Sequence, residues 1–421
     1  MYILIIPSEE FVPANSPLQG IFQLDQSKAL KENGFKLGVL SISISVSLYD
    51  LLKRLLRKLL FLKEKDNYIQ TTSLNILIRD FFKSVFTLGP KLSIEDVDGI
   101  TVYRVRYYPL FYGDFNYNSK IWVKAGLIAY KEYVKSYGKP LLIHAHNALN
   151  AGLLSKRINE NFKIPFVLTE HDSRHLSNDF SETQIGQILN IYKMSSCNMV
   201  VSTYLGNHIA NKLSLSKDFF KCMPNLIGVE FEDFDISSIV KPQDSYVFLS
   251  IGNLIPIKNH DLLLRAFHRT FANNNKVKLK VIGSGILRKE LEKSAVKLGI
   301  KEQVDFLGEL KRDQLIKELA RCSSLVHTSQ YETFGVVLIE ALSLGKPVIS
   351  TACGGPNYIV NEDNGILVEV SNLDQLAFAM KTMHDCISNY DSLSIRRDSL
   401  LLYNKNAFLK NISKVYESIQ E

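Results

Sequence analysis

The chain has 421 residues, 46% hydrophobic and 22% charged, with a mean hydropathy of 0.00. That composition excludes a disordered chain, which carries too few apolar residues to bury, and the length suits two domains rather than one core. The 50 Lys and Arg against 43 Asp and Glu leave a charge of +7 and a pI near 8.9. This mild excess suits anionic ligands such as diphosphates, or an acidic membrane surface, without requiring a nucleic acid.

The first predicted element is a strand over 2–6 in MYILIIP, which lacks the basic start of a signal peptide. A strand follows over 36–42. Residues 48–63 then repeat leucine at helical spacing, with Lys53, Arg54, Arg57 and Lys58 on the other side. That pattern fits either a helix lying on anionic lipid or a helix packed on the first domain with a solvated basic face. No apolar run reaches the roughly 18 residues of a membrane span. Further strands are predicted over 141–144, 165–169 and 198–202. The acidic, aperiodic stretch 226–244 reads as a linker.

Beyond it the alternation is regular. Strands are predicted at 246–252, 277–283, 304–308, 324–328 and 347–351, with helices at 260–271, 287–298, 312–320 and 334–344 between them. Strands alternating with helices of about ten residues make βαβ units and a parallel sheet. The predicted fold class is α/β, with two doubly wound, Rossmann-like domains facing a cleft. The predicted domains are 1–225 and 245–395, with 396–421 a helix crossing back to the first. The five cysteines are far apart, odd in number and without a CxxC, which predicts a reduced, cytoplasmic setting rather than disulfides or zinc.

Three features point to a diphosphate and a sugar. Lys258 ends the loop GNLIPIK after a strand, as a point charge for phosphate oxygens or as a solvated loop lysine. Gly283 and Gly285 follow the next strand, where they either admit a ligand to the backbone or make a tight turn; the full dinucleotide fingerprint is missing. Phe334, Gly335 and Val336 open a helix whose first amides and dipole suit a diphosphate. Glu332 stands just before this helix. Glu340 stands inside its apolar stretch VVLIEALSL, where a carboxylate needs a partner.

With these residues the chain resembles the retaining GT-B glycosyltransferases of family four, whose E-x7-E motif Glu332 and Glu340 reproduce. IGNLIPIKNHDLLLRAF, VIGSGILRKEL, VDFLGEL and GKPVISTACGGPNYIV fall in that family's order. The likeness is strongest over 246–370 and looser over PLQGIFQLDQSKAL and HAHNALNAGLLSKR. It implies that Glu340 binds the donor ribose, that Glu332 lies near the transferred sugar and that Lys258 binds the diphosphate. It also implies donor contacts at Gly20, Asn253, Gly283, Gly285, Leu310, Phe334, Gly335 and Val336. Family members usually carry arginine where Asn253 stands, so an amide replaces one cationic contact. His146 corresponds to a histidine near the scissile bond, with His144 and His171 as acceptor-side neighbours; a purely structural role for His146 stays open.

The resemblance implies transfer with retention from a nucleotide-sugar such as a UDP- or GDP-sugar, with no metal and no other cofactor. The acceptor would be a glycan or a lipid-linked sugar of cell-surface polysaccharide biosynthesis, and the protein would sit in the cytoplasm or on the inner face of the membrane. Asp96-Val-Asp98 and Asp233-Phe-Asp235 look like the metal-binding D-x-D of a different fold, but read as a turn and as linker. The rival readings are a nucleotide-sugar 2-epimerase and an inactive binding subunit.

Overall fold

The computed structural model describes residues 2–13, 20–59, 78–79, 81–82, 85–86, 88–177, 179–236 and 245–419. The chain divides into two compact units. One comprises residues 1–170, 181–199 and 415–421; the other comprises 171–180 and 200–414. Residues 200–225, predicted with the first domain, therefore cluster with the second.

The first sheet is built from β1 (Tyr2–Ile6), β2 (Lys36–Ile44), β3 (Gly89–Val97), β4 (Ile100–Tyr108), β5 (Leu142–His146), β6 (Phe166–Glu170), β7 (Cys197–Val200) and β8 (Lys221–Cys222), in the order β3-β4-β2-β1-β5-β6-β7-β8. β1 pairs in parallel with β2 and β5, and β5 with β6. Every residue of β5 and β6 is buried, as expected for strands covered on both faces. β3 and β4 instead form an antiparallel hairpin. Its turn, Asp98-Gly99, has both residues at positive φ (50° and 81°), the backbone of a two-residue hairpin turn. Asp96 accepts a hydrogen bond from Gly99 N at 2.7 Å, so this D-x-D serves the turn.

Phe115–Tyr137 is a long helix capped by the Asp114 side chain, which accepts from Tyr117 N, and closed by Gly138. Ile121, Trp122, Ala125, Ala129 and Tyr133 form its buried face. The basic segment does form a helix, Leu48–Leu59. Leu51 is buried, Leu48 and Leu55 are half-buried, and Tyr49, Leu52 and Leu56 are exposed. Its leucine stripe is thus divided between protein and solvent. The side chains of 57–63 lie outside the described residues.

The second sheet contains β9 (Tyr246–Ile251), β10 (Val277–Ile282), β11 (Val304–Gly308), β12 (Ser324–His327), β13 (Val348–Thr351) and β14 (Gly365–Val368), in the order β11-β10-β9-β12-β13-β14. Every pairing is parallel. The helix His260–Phe271 buries Leu263, Phe267 and Phe271 against Phe248, Leu279 and Met380. Each such side chain contributes about 1.5–3 kcal/mol on leaving water.

Much of the predicted linker is fixed in this unit. Ile227 N donates to Tyr403 O at 2.8 Å. The Arg396 guanidinium donates to the carbonyls of Phe231, Glu232 and Phe234 at 3.1, 2.6 and 3.2 Å. Three carbonyls held by one cation make 227–234, including Asp233, a strap rather than a free tether. Residues 237–244 lie outside the described part.

Candidate active site

In the second unit, all loops that follow β9, β10, β11, β12 and β13 leave the same edge, because the strands are parallel. That is where ligands bind on open α/β sheets. Lys258 sits in the short helix Pro256–Lys258 after β9. Glu332 sits in the loop after β12. Their side chains form an ion pair at 2.6 Å, with Lys258 25% and Glu332 19% exposed.

The backbone holds this pair in place. Thr328 Oγ1 donates to Lys258 O at 2.8 Å, and Gln330 N donates to Ile257 O at 2.8 Å. Glu332 N donates to Cys353 O, and Gly355 N returns a bond to Glu332 O. The Cys353-Gly354-Gly355 turn after β13 thereby clamps the glutamate from the other side. Burial works to raise the Glu332 carboxyl, but the Lys258 ammonium and His327 outweigh it and hold it well below the ordinary carboxylate range.

His327, the last residue of β12, is a participant that the sequence pattern did not reveal. It is buried, with Nε2 3.0 Å from Ser329 Oγ and 3.6 Å from Glu332 Oε2. Burial lowers it below the ordinary imidazole value, against the pull of Glu332. His260 is likewise pushed down to about 4, by burial first and then by His327 and Lys258. At neutral pH both rings are uncharged, so Lys258 faces Glu332 as the cation. A histidine closing an apolar strand, as in SSLVH, was the available signal.

The helix Val336–Ser343 starts at Gly335, which lies in the left-handed region (φ 104°) with no side-chain cap. Its first amides therefore open onto the edge that carries Lys258 and Glu332. Phe334 is buried edge-on against Tyr403, with ring centroids 5.9 Å apart, so what it offers at this edge is backbone. Glu340 is half-buried on the helix, and Val336 is half-buried at its first position. Asn253 is exposed in the loop after β9, and Leu310 is half-buried after β11.

Gly283 and Gly285 have a packing reason. A Cβ on Gly283 would lie 2.0 Å from Gly252 O, and one on Gly285 would lie 2.4 Å from Leu254 O. Leu254 N donates to Ser284 O at 2.7 Å, and Leu287 N donates to Leu254 O at 3.0 Å. The glycines let this turn press against the loop that carries Asn253 and Lys258, and so they shape the site through the backbone.

In the first unit, Gly20 starts the helix Ile21–Glu32 with φ 72°. His144 and His146 end β5 with stacked rings, centroids 4.5 Å apart. The Ser8 hydroxyl donates to His146 O at 2.7 Å, tying the loop after β1 to the end of β5. His144 is engaged within the unit. Its Nδ1 lies 2.7 Å from Tyr416 Oη and its Nε2 2.8 Å from Thr169 Oγ1, and burial pushes it down to about 3. Both of its nitrogens are thus engaged inside the unit. His171 is half-buried just past β6, in the segment 171–180 that clusters with the second unit.

Two sheets of this Rossmann-like kind, the second with a lysine–glutamate pair beside a helix start at its carboxyl edge, make up the GT-B fold. Residues 231–393 match the family described as glycosyl transferases group 1. An uncharacterized glycosyltransferase of Methanocaldococcus jannaschii is 27% identical over 80% of this chain and 90% of its own length. A Campylobacter jejuni enzyme named as an N-acetylgalactosaminyltransferase acting on a diphospho-undecaprenol-linked sugar is 30% identical, over 39% of this chain and 46% of its own. Among solved structures, sucrose-phosphate synthase from Thermosynechococcus elongatus covers 100% of this chain and 99% of its own, at 19% identity and a TM-score of 0.73. Anabaena HepE in complex with UDP covers 99% of this chain and 100% of its own, at 18% identity and a TM-score of 0.69.

Proposed function

We propose that this glycosyltransferase moves a sugar, with retention and without a required metal, from a nucleoside-diphosphate donor to a hydroxyl of a glycan or lipid-linked acceptor in cell-surface polysaccharide assembly. The observation that carries the reading is the Lys258–Glu332 pair beside the uncapped start of Val336–Ser343. Such an edge presents a cation, amide donors and a carboxylate acceptor together. The cation and amides would meet charge developing on the departing diphosphate, and carboxylates accept hydroxyl donors from ribose and sugar. The structures of HepE in complex with UDP and with UDP-glucose support a nucleotide-sugar donor. The name of the Campylobacter relative supports a lipid-linked acceptor.

A thermal-shift screen against UDP- and GDP-sugars tests the donor. A ligand at 100 times its dissociation constant stabilises the folded state by about 2.7 kcal/mol. One base is expected to shift the melting temperature, with slow hydrolysis of the matching sugar. Interconversion of the sugar would instead indicate an epimerase, and binding without turnover an inactive subunit. No shift with either base would remove the donor assignment.

The same reading places the enzyme in the cytoplasm, peripheral to the membrane through Leu48–Leu59. Tyr49, Leu52 and Leu56 are exposed there, next to exposed Leu110, Phe111 and Tyr112. Leu48 N and Tyr49 N donate to the carbonyls of Pro109 and Leu110, which joins the two apolar surfaces. Lys53 lies over the Tyr49 ring at 4.3 Å. An apolar surface rimmed by cations suits an anionic interface. Changing Lys53, Arg54, Arg57 and Lys58 to Glu is expected to abolish partition onto anionic liposomes; equal partition by the wild type and this variant would end the proposal.

A further inference from the structure

A groove of about 670 Å³ opens in the first unit between the helices Phe115–Tyr137, Leu153–Phe162 and Glu182–Met194. Its walls carry Lys120, Lys124, Lys156 and Arg157 against the single carboxylate of Glu160. Glu160 lies 3.8 Å from Lys156 and 3.6 Å from Arg157, and it is shared between them. Lys120 and Lys124 stand four residues apart on one helix, a like-charge spacing that the helix itself does not favour. Neither makes an ion pair or hydrogen bond among the described residues. Four cations against one shared carboxylate leave the groove with an excess of positive charge.

A second observation comes from the floor. Ser119 is 7% exposed and lines the groove, and its buried hydroxyl has no hydrogen-bond partner. Gln187 donates its amide to Asn116 Oδ1 at 3.2 Å, which leaves its own Oε1 buried and unpartnered. Buried polar atoms are nearly always satisfied, and a native exception calls for a missing partner. Here two such atoms face the same space as four cations.

We propose that this groove binds a phosphate-bearing, hydroxylated ligand, with the phosphate against Lys120, Lys124 and Arg157 and the hydroxyls on Ser119 and Gln187. Charge-assisted bonds from ammonium and guanidinium groups hold phosphate oxygens. Ser119 can both donate and accept, and Gln187 Oε1 accepts from a ligand hydroxyl. A phosphoglycerol group has this chemistry, either as free glycerol 3-phosphate or as the headgroup of phosphatidylglycerol. The site is independent of the donor edge in the second unit.

The test titrates the full chain with sn-glycerol 3-phosphate by calorimetry and measures its flotation with phosphatidylcholine vesicles, with and without phosphatidylglycerol. Lys120→Ala/Lys124→Ala is expected to weaken binding tenfold or more. Lys131→Ala/Lys135→Ala, which removes the same charge from the far end of the same helix, should leave it within twofold. Binding of the soluble ligand assigns a free phosphate compound; binding of phosphatidylglycerol vesicles alone, with the same loss in the groove variant, assigns the headgroup. Ser119→Ala should weaken binding several-fold while the melting temperature holds or rises, since an unsatisfied hydroxyl is removed. The proposal is overturned by no binding in either format, or by equal loss in the two lysine pairs. Loss confined to Lys258→Ala or to Lys53→Glu/Arg54→Glu overturns it as well, by moving the binding elsewhere. A fall in melting temperature with unchanged affinity in Ser119→Ala counts against it too.

Discussion

Lys258→Ala is expected to lower sugar transfer tenfold or more and, separately, to destabilise the second unit. The first effect follows from the proposed role. One ammonium facing the departing diphosphate is a contact that strengthens as charge develops, and loss of one such contact costs tenfold or more in turnover. The second follows from what the substitution leaves behind. Glu332 is 19% exposed and bonds Lys258 at 2.6 Å, while His327 stands off at 3.6 Å and is uncharged. Removing the lysine leaves a mostly buried carboxylate without its cation, at a cost of about 1–3 kcal/mol; the pair's partial exposure keeps this below the value for a fully buried pair.

The sign with pH is set by the direction of the Glu332 shift. The folded carboxyl is held below its ordinary value, so the pair's contribution is complete at neutral pH and fades as the pH falls below the ordinary carboxylate range. Glu332→Ala should lower transfer by a similar factor. Lys258→Ala/Glu332→Ala should recover part of the lost melting temperature but none of the activity. Initial rates and thermal unfolding of the three variants check this. Full activity in both single variants would refute the site.

Glu340→Ala is expected to raise the donor KM about tenfold with little change in kcat. A hydrogen bond to a charged group contributes about 1.5–3 kcal/mol, and a contact to the ribose is remote from the bond being broken. It therefore supports ground state and transition state alike, which appears in KM rather than in kcat. Glu340 is half-buried on Val336–Ser343, just over one turn along from the helix start, which separates its effect from that of Glu332. Rates measured over a range of donor concentrations decide between the two roles. A fall in kcat at constant KM would place Glu340 at the chemistry instead.

The second unit was largely legible from the sequence, because local signals and the fold agree there. The predicted strands match β9 to β13 to within a residue, and the helix over 260–271 matches His260–Phe271. Short buried strands, each followed by a glycine or a polar loop, can hardly be read any other way. The site residues of that half follow from one topological fact. Parallel strands send every following loop to one edge, so Lys258, Gly283, Leu310 and Glu332 share that edge although 74 residues separate Lys258 from Glu332.

In the first unit the signal was weaker and more was missed. β3 is largely exposed and has no hydrophobic run to betray it; its partner strand and the Asp98-Gly99 turn define it. The long helix Phe115–Tyr137 spreads small and aromatic residues over its buried face, which blurs the usual periodicity.

By itself, then, the sequence determined the α/β alternation, the class of the fold and the residue types at the candidate site. Only the tertiary structure decided the partners. It joined Lys258 to Glu332, brought His327 to the pair and pressed Gly283 and Gly285 against the lysine loop. It also closed both nitrogens of His144 and held 227–234 with Arg396. Each of these is a contact between residues far apart in the chain. Its energy depends on burial and on distances of about 3 Å, quantities that no local pattern of residues specifies.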